Sequence, residues 1–229
     1  MRNSRLLALA LAPLLPLSVA LAGVPEGFTP LFNGMDLTGW HISKVNHHGD
    51  SQAWTVEDGL IVGTQDKPGN GGILLTDRTY RDFEVSLEIK PDWGCDGGLF
   101  LRSNEKGQAY QVMIDYLEGG VVGGIYGEGL KGLDPNTAEQ RTARGKWEQA
   151  WKKDEWNTLR ARIEGEVPHI QVWLNDQQLV DWTDSANHAA DGATEGMIAL
   201  QLHFSNEQVP RWRDGGFHRY RNVAVRELE

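Results

Sequence analysis

The sequence predicts an all-β protein, a sandwich of two antiparallel sheets that forms a single domain. Short apolar runs alternate with polar residues along most of the chain, which is typical of strands with one buried face. Gly, Asn, Asp and Pro interrupt these runs at short intervals, and 27 of the 229 residues are glycine. No fixed repeat, low-complexity segment or linker divides the chain, so we expect one domain.

The clearest predicted strand runs from Asp82 to Lys90. Its odd-numbered positions from 83 to 89 are apolar and its even-numbered positions from 84 to 90 are polar, so the two sets point to opposite faces. Similar patterns predict further strands at Gly98–Arg102, Tyr110–Asp115, Trp156–Glu164, Ile170–Asn175, Met197–His203 and His218–Leu228.

Turn residues indicate how the strands are joined. Asp58-Gly59 and Asn175-Asp176 each lie between two strand-like runs, which predicts hairpins and therefore antiparallel pairing. The segment Thr137–Trp151 is the only one with helical character, and it is polar enough to lie on the surface. The glycine-rich segment Gly119–Gly129 lacks the Gly-Lys-Ser/Thr ending of a nucleotide loop, and we expect a tight loop over a sheet.

Residues 1–22 have the pattern of a secretory signal peptide. A positive start is followed by an apolar stretch over residues 6–19 and by small residues at Ala20 and Ala22. Prolines break the apolar stretch, which is shorter than the ~20 residues of a membrane span. We therefore expect cleavage after Ala22, no membrane anchor in the mature chain, a folded domain over residues 23–229 and a periplasmic or secreted location.

Composition and charge narrow the function. Hydrophobic residues make up 40% of the chain, which is enough for a globular core. The net charge of −10 disfavours binding to nucleic acids and to anionic membranes. Cys95 is the only cysteine, so the core must hold the fold without an internal disulfide. Nothing in the sequence indicates an obligate protein partner.

The polar positions of the predicted strands would form a common surface if these strands shared one sheet. Carboxylates, cations, amides and an imidazole would then lie together, which suggests recognition; an ordinary solvated sheet face is the alternative. The residues concerned are Glu88, Lys90, Arg102, Gln111, Asp115, Gln201 and His203.

Aromatic residues favour a sugar as the ligand. Trp93 precedes a glycine turn, where an exposed indole can stack on a sugar ring while polar groups bond its hydroxyls. A retaining glycosidase with three alternating acids is disfavoured, because Met113 stands where the first acid belongs. His47-His48 could bind a metal, but adjacent side chains diverge on an extended chain, so we expect a solvated loop.

Several motifs match a known family along nearly the whole mature chain. They include Gly27–Trp40, Trp54–Gly59, Gly196–His203 and Tyr220–Val223. The sequence resembles the 3-keto-disaccharide hydrolase domain family, formerly a domain of unknown function, in the concanavalin A-like lectin/glucanase superfamily. The family usually has Glu where this chain has Gln111.

The resemblance implies a concanavalin A-like jelly-roll sandwich and an exported enzyme that cleaves 3-keto-glycosides by elimination and hydration. The expected catalytic residues are Asp115, His203, Arg102, Glu88 and Lys90, and the expected substrate-binding residues are Gln111, Gln201, Tyr126 and Trp93. A non-catalytic, lectin-like carbohydrate-binding module is the alternative.

The implied chemistry gives these residues hypothetical roles. Asp115 or His203 would transfer protons, and Arg102 and Lys90 would stabilise an enolate, while Glu88 and Gln201 would position the substrate. A divalent cation is a possible cofactor that could replace the two cations, with Glu88, Asp115 and His203 as ligands.

Overall fold

A computed structural model describes residues 23–133 and 145–229 and contains two packed antiparallel sheets. The predicted signal peptide lies outside the described residues. The strands are β1 Thr29–Pro30, β2 Trp40–Ile42, β3 Trp54–Glu57, β4 Leu60–Gly63, β5 Gly72–Tyr80, β6 Phe83–Pro91, β7 Gly97–Ser103, β8 Ala109–Ile114, β9 Val122–Glu128, β10 Asn157–Glu164, β11 His169–Leu174, β12 Gln177–Thr183, β13 Gly196–Leu202 and β14 His218–Glu227. A short helix α1 spans Trp147–Ala150, and a 3-10 turn spans Ala190–Gly192.

One sheet has eight strands in the order β12-β11-β10-β6-β14-β4-β3, with β1 paired to β14. The other has six strands in the order β2-β5-β13-β7-β8-β9. The core lies between the sheets, where positions 83, 85, 87 and 89 of β6 have no exposed surface. Each such side chain stabilises the fold by about 1.5–3 kcal/mol relative to exposure. The all-β sandwich prediction is confirmed.

Both predicted hairpins are present. Asp58 and Gly59 have φ of 51° and 78° between β3 and β4, and Asn175 and Asp176 have φ of 47° and 67° between β11 and β12. Positive φ at both central residues is the turn geometry that matches the twist of antiparallel strands.

Two predictions about connections need correction. The segment Gly119–Gly129 is not a loop over the sheet, because residues 122–128 form the edge strand β9. Its glycines serve packing: a Cβ at Gly123 would lie 2.6 Å from a Leu179 methyl group of the other sheet. Of the predicted helical stretch Thr137–Trp151, residues 137–144 lie outside the described part, and within residues 145–151 the helix α1 covers Trp147–Ala150. No helix in the described ranges is long and apolar enough to cross a membrane.

Candidate active site

A cavity of about 290 Å³ lies on the face of the six-stranded sheet that points away from the core. Strands β7, β8, β9 and β13 underlie it, and loops that include residues 47–48 and 203–211 border it. Its lining residues are His47, His48, Asp96, Gln111, Met113, Asp115, Tyr126, Glu128, His203, Phe204, Val209 and Arg211.

Strand alternation explains why several predicted residues meet here. On β8, Val112 is buried in the core while Gln111 lines the cavity. On β13, Leu200 is in the core, and Gln201 points to the cavity side but is fully buried beneath the lining residues. Gln111 Nε2 donates to Gln201 Oε1 at 3.4 Å. The structure thus brings together five of the residues expected from the sequence: Gln111, Asp115, Tyr126, Gln201 and His203.

Two glycines leave room for these side chains. A Cβ at Gly98 would lie 2.5 Å from Nε2 of Gln111, and a Cβ at Gly120 would overlap the carboxylate of Asp115. A larger residue at either position would therefore displace a side chain that lines the cavity.

His47 and His48 converge on Glu128, which overturns the prediction of a solvated loop. Their ring centroids are 4.1 Å apart, and their Nε2 atoms lie 3.2 Å and 3.7 Å from the Glu128 carboxylate oxygens. His48 is 2% exposed. The loop is bent because the Asn46 side chain donates to the Gly49 carbonyl and accepts from the His48 N–H, so adjacent side chains no longer diverge.

These three side chains resemble a metal-binding set, which we call the His-His-Glu group. Their donor atoms lie within 4.8 Å of one another. Two imidazoles and one carboxylate suit divalent transition-metal ions. Nε2 of Gln201 donates to Nδ1 of His48 at 3.2 Å, so the ring proton of neutral His48 is on Nε2, facing Glu128, and a metal ion bound there would displace it. The ligand set expected from the sequence is not assembled, because Glu88 lies in the other sheet.

Two of the three side chains in the His-His-Glu group have protonation states that suit metal binding, and His47 does not. Burial opposes ionisation of Glu128, but hydrogen bonds from both histidines lower its pKa to about 2. The bond to Glu128 raises the pKa of His47, whereas burial lowers the pKa of His48. Glu128 is therefore a carboxylate at neutral pH and His48 is neutral, which are the forms that ligate metals.

His203 offers a basic nitrogen to the cavity. Burial lowers its pKa to about 4, so the ring is neutral at pH 7. Nδ1 lies 2.6 Å from the Phe204 carbonyl oxygen and must donate to it, which leaves the lone pair on Nε2. Within the described ranges, no group is hydrogen-bonded to that Nε2. The arrangement is that of a neutral general base.

Two aspartates share the cavity wall with Arg211. Nη1 of Arg211 lies 2.9 Å from Oδ2 of Asp115, whose Oδ1 accepts the Leu117 N–H at 3.1 Å. Burial raises the pKa of Asp115, against the attraction of Arg211. Burial and the Asp115 charge raise the pKa of Asp96 well above its usual range.

Arg102 does not reach the cavity, contrary to the prediction. A bulge in β7 gives it a φ of 53° and turns its side chain toward the other sheet. There the guanidinium donates to Asp82 Oδ1 at 2.8 Å and to the carbonyls of Arg81 and Gly165 at 2.7 Å and 3.0 Å. Arg102 is a buried tie between the sheets.

Glu88 and Lys90 also lie away from the cavity. The prediction required β6 to share a sheet with β8 and β13, but β6 lies between β10 and β14 in the eight-stranded sheet. Glu88 is bonded there to Arg221 and Asn222, at 2.6–2.8 Å. Local alternation specifies which residues share a face of a strand, but not which sheet the strand joins.

Trp93 is 44% exposed and lines a neighbouring groove instead of the cavity. Its ring packs against Tyr116, with centroids 5.0 Å apart, and the Lys153 ammonium lies 4.1 Å from its ring centroid. A further groove that includes Glu118 and Arg211 connects the two regions.

Five polar cavity residues are absent from the predicted site: the sequence analysis overlooks Asp96, Glu128 and Arg211, and it considers His47 and His48 as metal ligands but sets them aside. A signal existed for two of them. Alternation extended upstream of β7 places Asp96 opposite the buried Cys95, and alternation along β9 places Glu128 on the same face as Tyr126. The other three lie on loops, where no periodicity applies.

The fold and cavity define a β-sandwich with a polar site on one sheet. Comparison with known proteins gives the family: the 3-keto-alpha-glucoside-1,2-lyase-like domain model matches residues 27–226, and the chain belongs to this family. A 3-keto-disaccharide hydrolase from Bacteroides thetaiotaomicron is 28% identical over 88 residues, which is 35% of this chain and 29% of that protein. The matched part thus spans under a third of the relative.

Solved structures support the fold. A protein from Parabacteroides distasonis described as a glycosyl hydrolase has a TM-score of 0.54 at 21% identity, over 89% of this chain and 95% of its own. A Bacillus subtilis protein with a galectin-like fold has a TM-score of 0.54 at 12% identity, over 90% and 96%. The family and its hydrolase relative indicate a glycoside hydrolase-like function.

Proposed function

We propose that this protein cleaves the glycosidic bond of 3-keto-glycosides by elimination followed by hydration. The family assignment supports the substrate class. One observation carries the chemistry: the unbonded Nε2 of neutral His203 lies in the same cavity as the His-His-Glu group. A base and a site of positive charge for a carbonyl oxygen are what this reaction needs.

The substrate makes the reaction possible through its ketone. A carbonyl at C3 acidifies the C2 proton, because the enolate oxygen accepts the charge left by deprotonation. The enolate then re-forms the carbonyl, a C1=C2 bond forms, and the C1–O bond breaks with its electron pair on the leaving oxygen. Addition of water across C1=C2 gives the free 3-keto-sugar.

Between the two base candidates, we assign C2 deprotonation to His203. Asp115 is engaged by Arg211 and by a backbone N–H, whereas His203 is neutral and keeps a lone pair on Nε2. The Phe204 carbonyl fixes the tautomer, so the ring needs no rearrangement before it accepts the proton.

We assign the stabilisation of the enolate, which the sequence analysis expected of Arg102 and Lys90, to groups inside the cavity. The His-His-Glu group would hold a divalent cation, which when bound supplies positive charge to the C3 oxygen. Arg211 adds a fixed cation beside Asp115. Gln111 and Tyr126 would bind the sugar, and the buried Gln201, expected from the sequence to bind it, would instead orient Gln111. Trp93 would contact a longer glycoside along the neighbouring groove.

The test compares a 3-keto-disaccharide with its unoxidised parent and follows sugar release by chromatography, with and without a chelator. We expect release from the keto form only, strong inhibition by the chelator, and a loss of about 100-fold or more in His203→Asn. Arg78→Ala, in an exposed pair with Glu227, is the matched control and should keep full activity.

Two other outcomes would count against the proposed function. Release from the parent disaccharide would contradict the keto-dependent mechanism. Binding of the sugar without turnover, measured by calorimetry, would support the lectin-like alternative, for which an exposed Tyr126 beside amide side chains is a suitable surface.

We further propose that residues 1–22 direct export to the periplasm or the medium and are removed after Ala22. The pattern of charge, apolar stretch and small residues supports this. Cell fractionation and N-terminal sequencing of the full chain test it, and a cytoplasmic protein that retains Met1 would contradict it.

A further inference from the structure

The three carboxyl groups of the cavity differ in their partners. Glu128 faces His47 and His48, and Asp115 faces Arg211. Asp96 forms no ion pair and has no side-chain hydrogen-bond partner among the described residues, although it is only 6% exposed; its carboxyl group accepts only the Gly97 N–H. A buried carboxyl group without such a partner is costly as an anion, so it favours its protonated form.

The backbone holds Asp96 between two elements that supply the cavity. Its N–H donates to the Arg211 carbonyl at 2.9 Å, and its carbonyl accepts the His203 N–H at 3.2 Å. The preceding residue, Cys95, is buried in the core, so alternation turns the Asp96 side chain to the cavity. The carboxyl group is therefore fixed on the same wall as the base His203.

The negative charges around Asp96 act in the same direction as burial. Asp115 and, more weakly, Glu128 disfavour its ionisation, whereas Arg211 and the Gly97 N–H favour it. Burial is the largest influence, and together these raise the pKa of Asp96 well above its usual range. Pairs of carboxyl groups with separated affinities for a proton are a common way to build an acid at neutral pH.

We propose that Asp96 is the general acid that protonates the leaving-group oxygen, while His203 removes the C2 proton from the same substrate. This inference rests on the proposed function. As the C1–O bond breaks, its electron pair takes the Asp96 proton and the released alcohol departs. In the hydration step Asp96 regains a proton from the water that adds to C1, and His203 returns its proton to C2. Asp115 is a positioning residue, because it acts through Asp96 and Arg211.

The experiment compares Asp96→Asn with the unmodified protein on two 3-keto-glucosides that differ in the leaving group. A sugar alcohol needs protonation to depart, whereas 4-nitrophenolate does not. We expect a loss of about 100-fold or more with the sugar leaving group and less than about 10-fold with 4-nitrophenol. Asp96→Glu, which keeps an acid, should hold the ratio of the two rates near that of the unmodified protein.

Exchange of the C2 proton in deuterated water separates this inference from the proposed function. Asp96→Asn should still exchange that proton, since His203 is intact, and His203→Asn should not. Equal losses with both leaving groups, or no loss with the sugar, would overturn the role of Asp96 alone. An unmodified protein that neither exchanges the C2 proton nor cleaves either keto substrate would overturn the proposed function and the inference with it. Thermal unfolding checks that each variant folds.

Discussion

The two outer faces of the sandwich contain similar residue types in different arrangements. On the eight-stranded sheet, Glu84 lies 2.6 Å and 2.7 Å from the guanidinium nitrogens of Arg160 and Arg226, and Glu88 is paired with Arg221. These carboxylates are paired with cations on adjacent strands. Such a face is a charge-matched surface.

On the six-stranded sheet, the polar groups keep hydrogen-bonding and charge-pairing capacity that the described residues do not use. Nε2 of His203 has a lone pair, Asp96 lacks a cationic partner, and the His-His-Glu group has no arginine or lysine partner in the described chain. Strand residues form only part of this polar site, and loop residues form the rest. The comparison teaches that a polar sheet face becomes a site where loops bring groups that do not neutralise one another.

Arg102→Ala is the change with the largest expected effect. It tests whether the buried Arg102 of β7 stabilises the fold, as the paired charges of the eight-stranded sheet do, or takes part in the active site. It would remove the guanidinium donor from two carbonyls and from Asp82, which keeps the Gly165 N–H, and breaking a buried pair costs about 3–5 kcal/mol. We expect urea unfolding to show that loss, while the folded fraction keeps its activity on a 3-keto-disaccharide.

Arg78→Ala is the matched control, since that pair is exposed on both sides and should change the free energy of unfolding by less than about 1 kcal/mol. If Arg102→Ala kept its stability but lost turnover, the result would support the catalytic role for Arg102 that the sequence predicts.

The sequence predicted the sandwich and much of the cavity floor for a local reason. Alternation determines which side chains of a strand point to the same side. Because the neighbouring apolar residues mark the core side, the pattern predicts that Gln111, Asp115 and Gln201 point away from the core. It did not assign strands to sheets, because β6 pairs with β10 and β14, which lie far along the chain. The bulge at Arg102 was equally invisible, since it depends on the register with β13.

The loop residues were missed for a different reason. His47 and His48 converge only because Asn46 bends the loop, and the partner that they share is 80 residues further along the chain, at Glu128. A rule for extended chains predicts divergence here, so it fails where side-chain hydrogen bonds to the backbone replace the strand geometry.

A comparison of two histidines gives the next largest effect. Burial lowers the pKa of both His203 and His218 to about 4, but His218 lies in the core with Nδ1 near Tyr220 and Nε2 near the Cys95 carbonyl, each at 2.9 Å. The unfolded chain binds a proton near pH 6.5, so the folded state loses stability as the pH falls from 6.5 toward 4.

For His218 we expect a loss of about 2 kcal/mol between pH 7 and pH 5. His218→Gln should reduce this pH dependence of the free energy of unfolding, measured with urea at both pH values, and leave C2 exchange near normal. An identical pH dependence in the variant and the unmodified protein would show that His218 does not resist protonation in the folded state.

Glu88→Gln has the smallest expected effect and tests the charge-matched face directly. Glu88 and Arg221 are both partly exposed, so solvent screens their attraction, and Gln can still accept from Arg221 while its size is preserved. We expect a change in the free energy of unfolding below about 1 kcal/mol and cleavage of a 3-keto-disaccharide within about 2-fold of normal, because ordinary surface substitutions have effects of this size.

The matched change inside the cavity is Glu128→Gln, which alters the same functional group but removes the carboxylate of the His-His-Glu group and should abolish the chelator-sensitive activity. If Glu88→Gln were the more damaging of the two to turnover, the eight-stranded face would have to take part in catalysis, and the contrast between the two faces would fail.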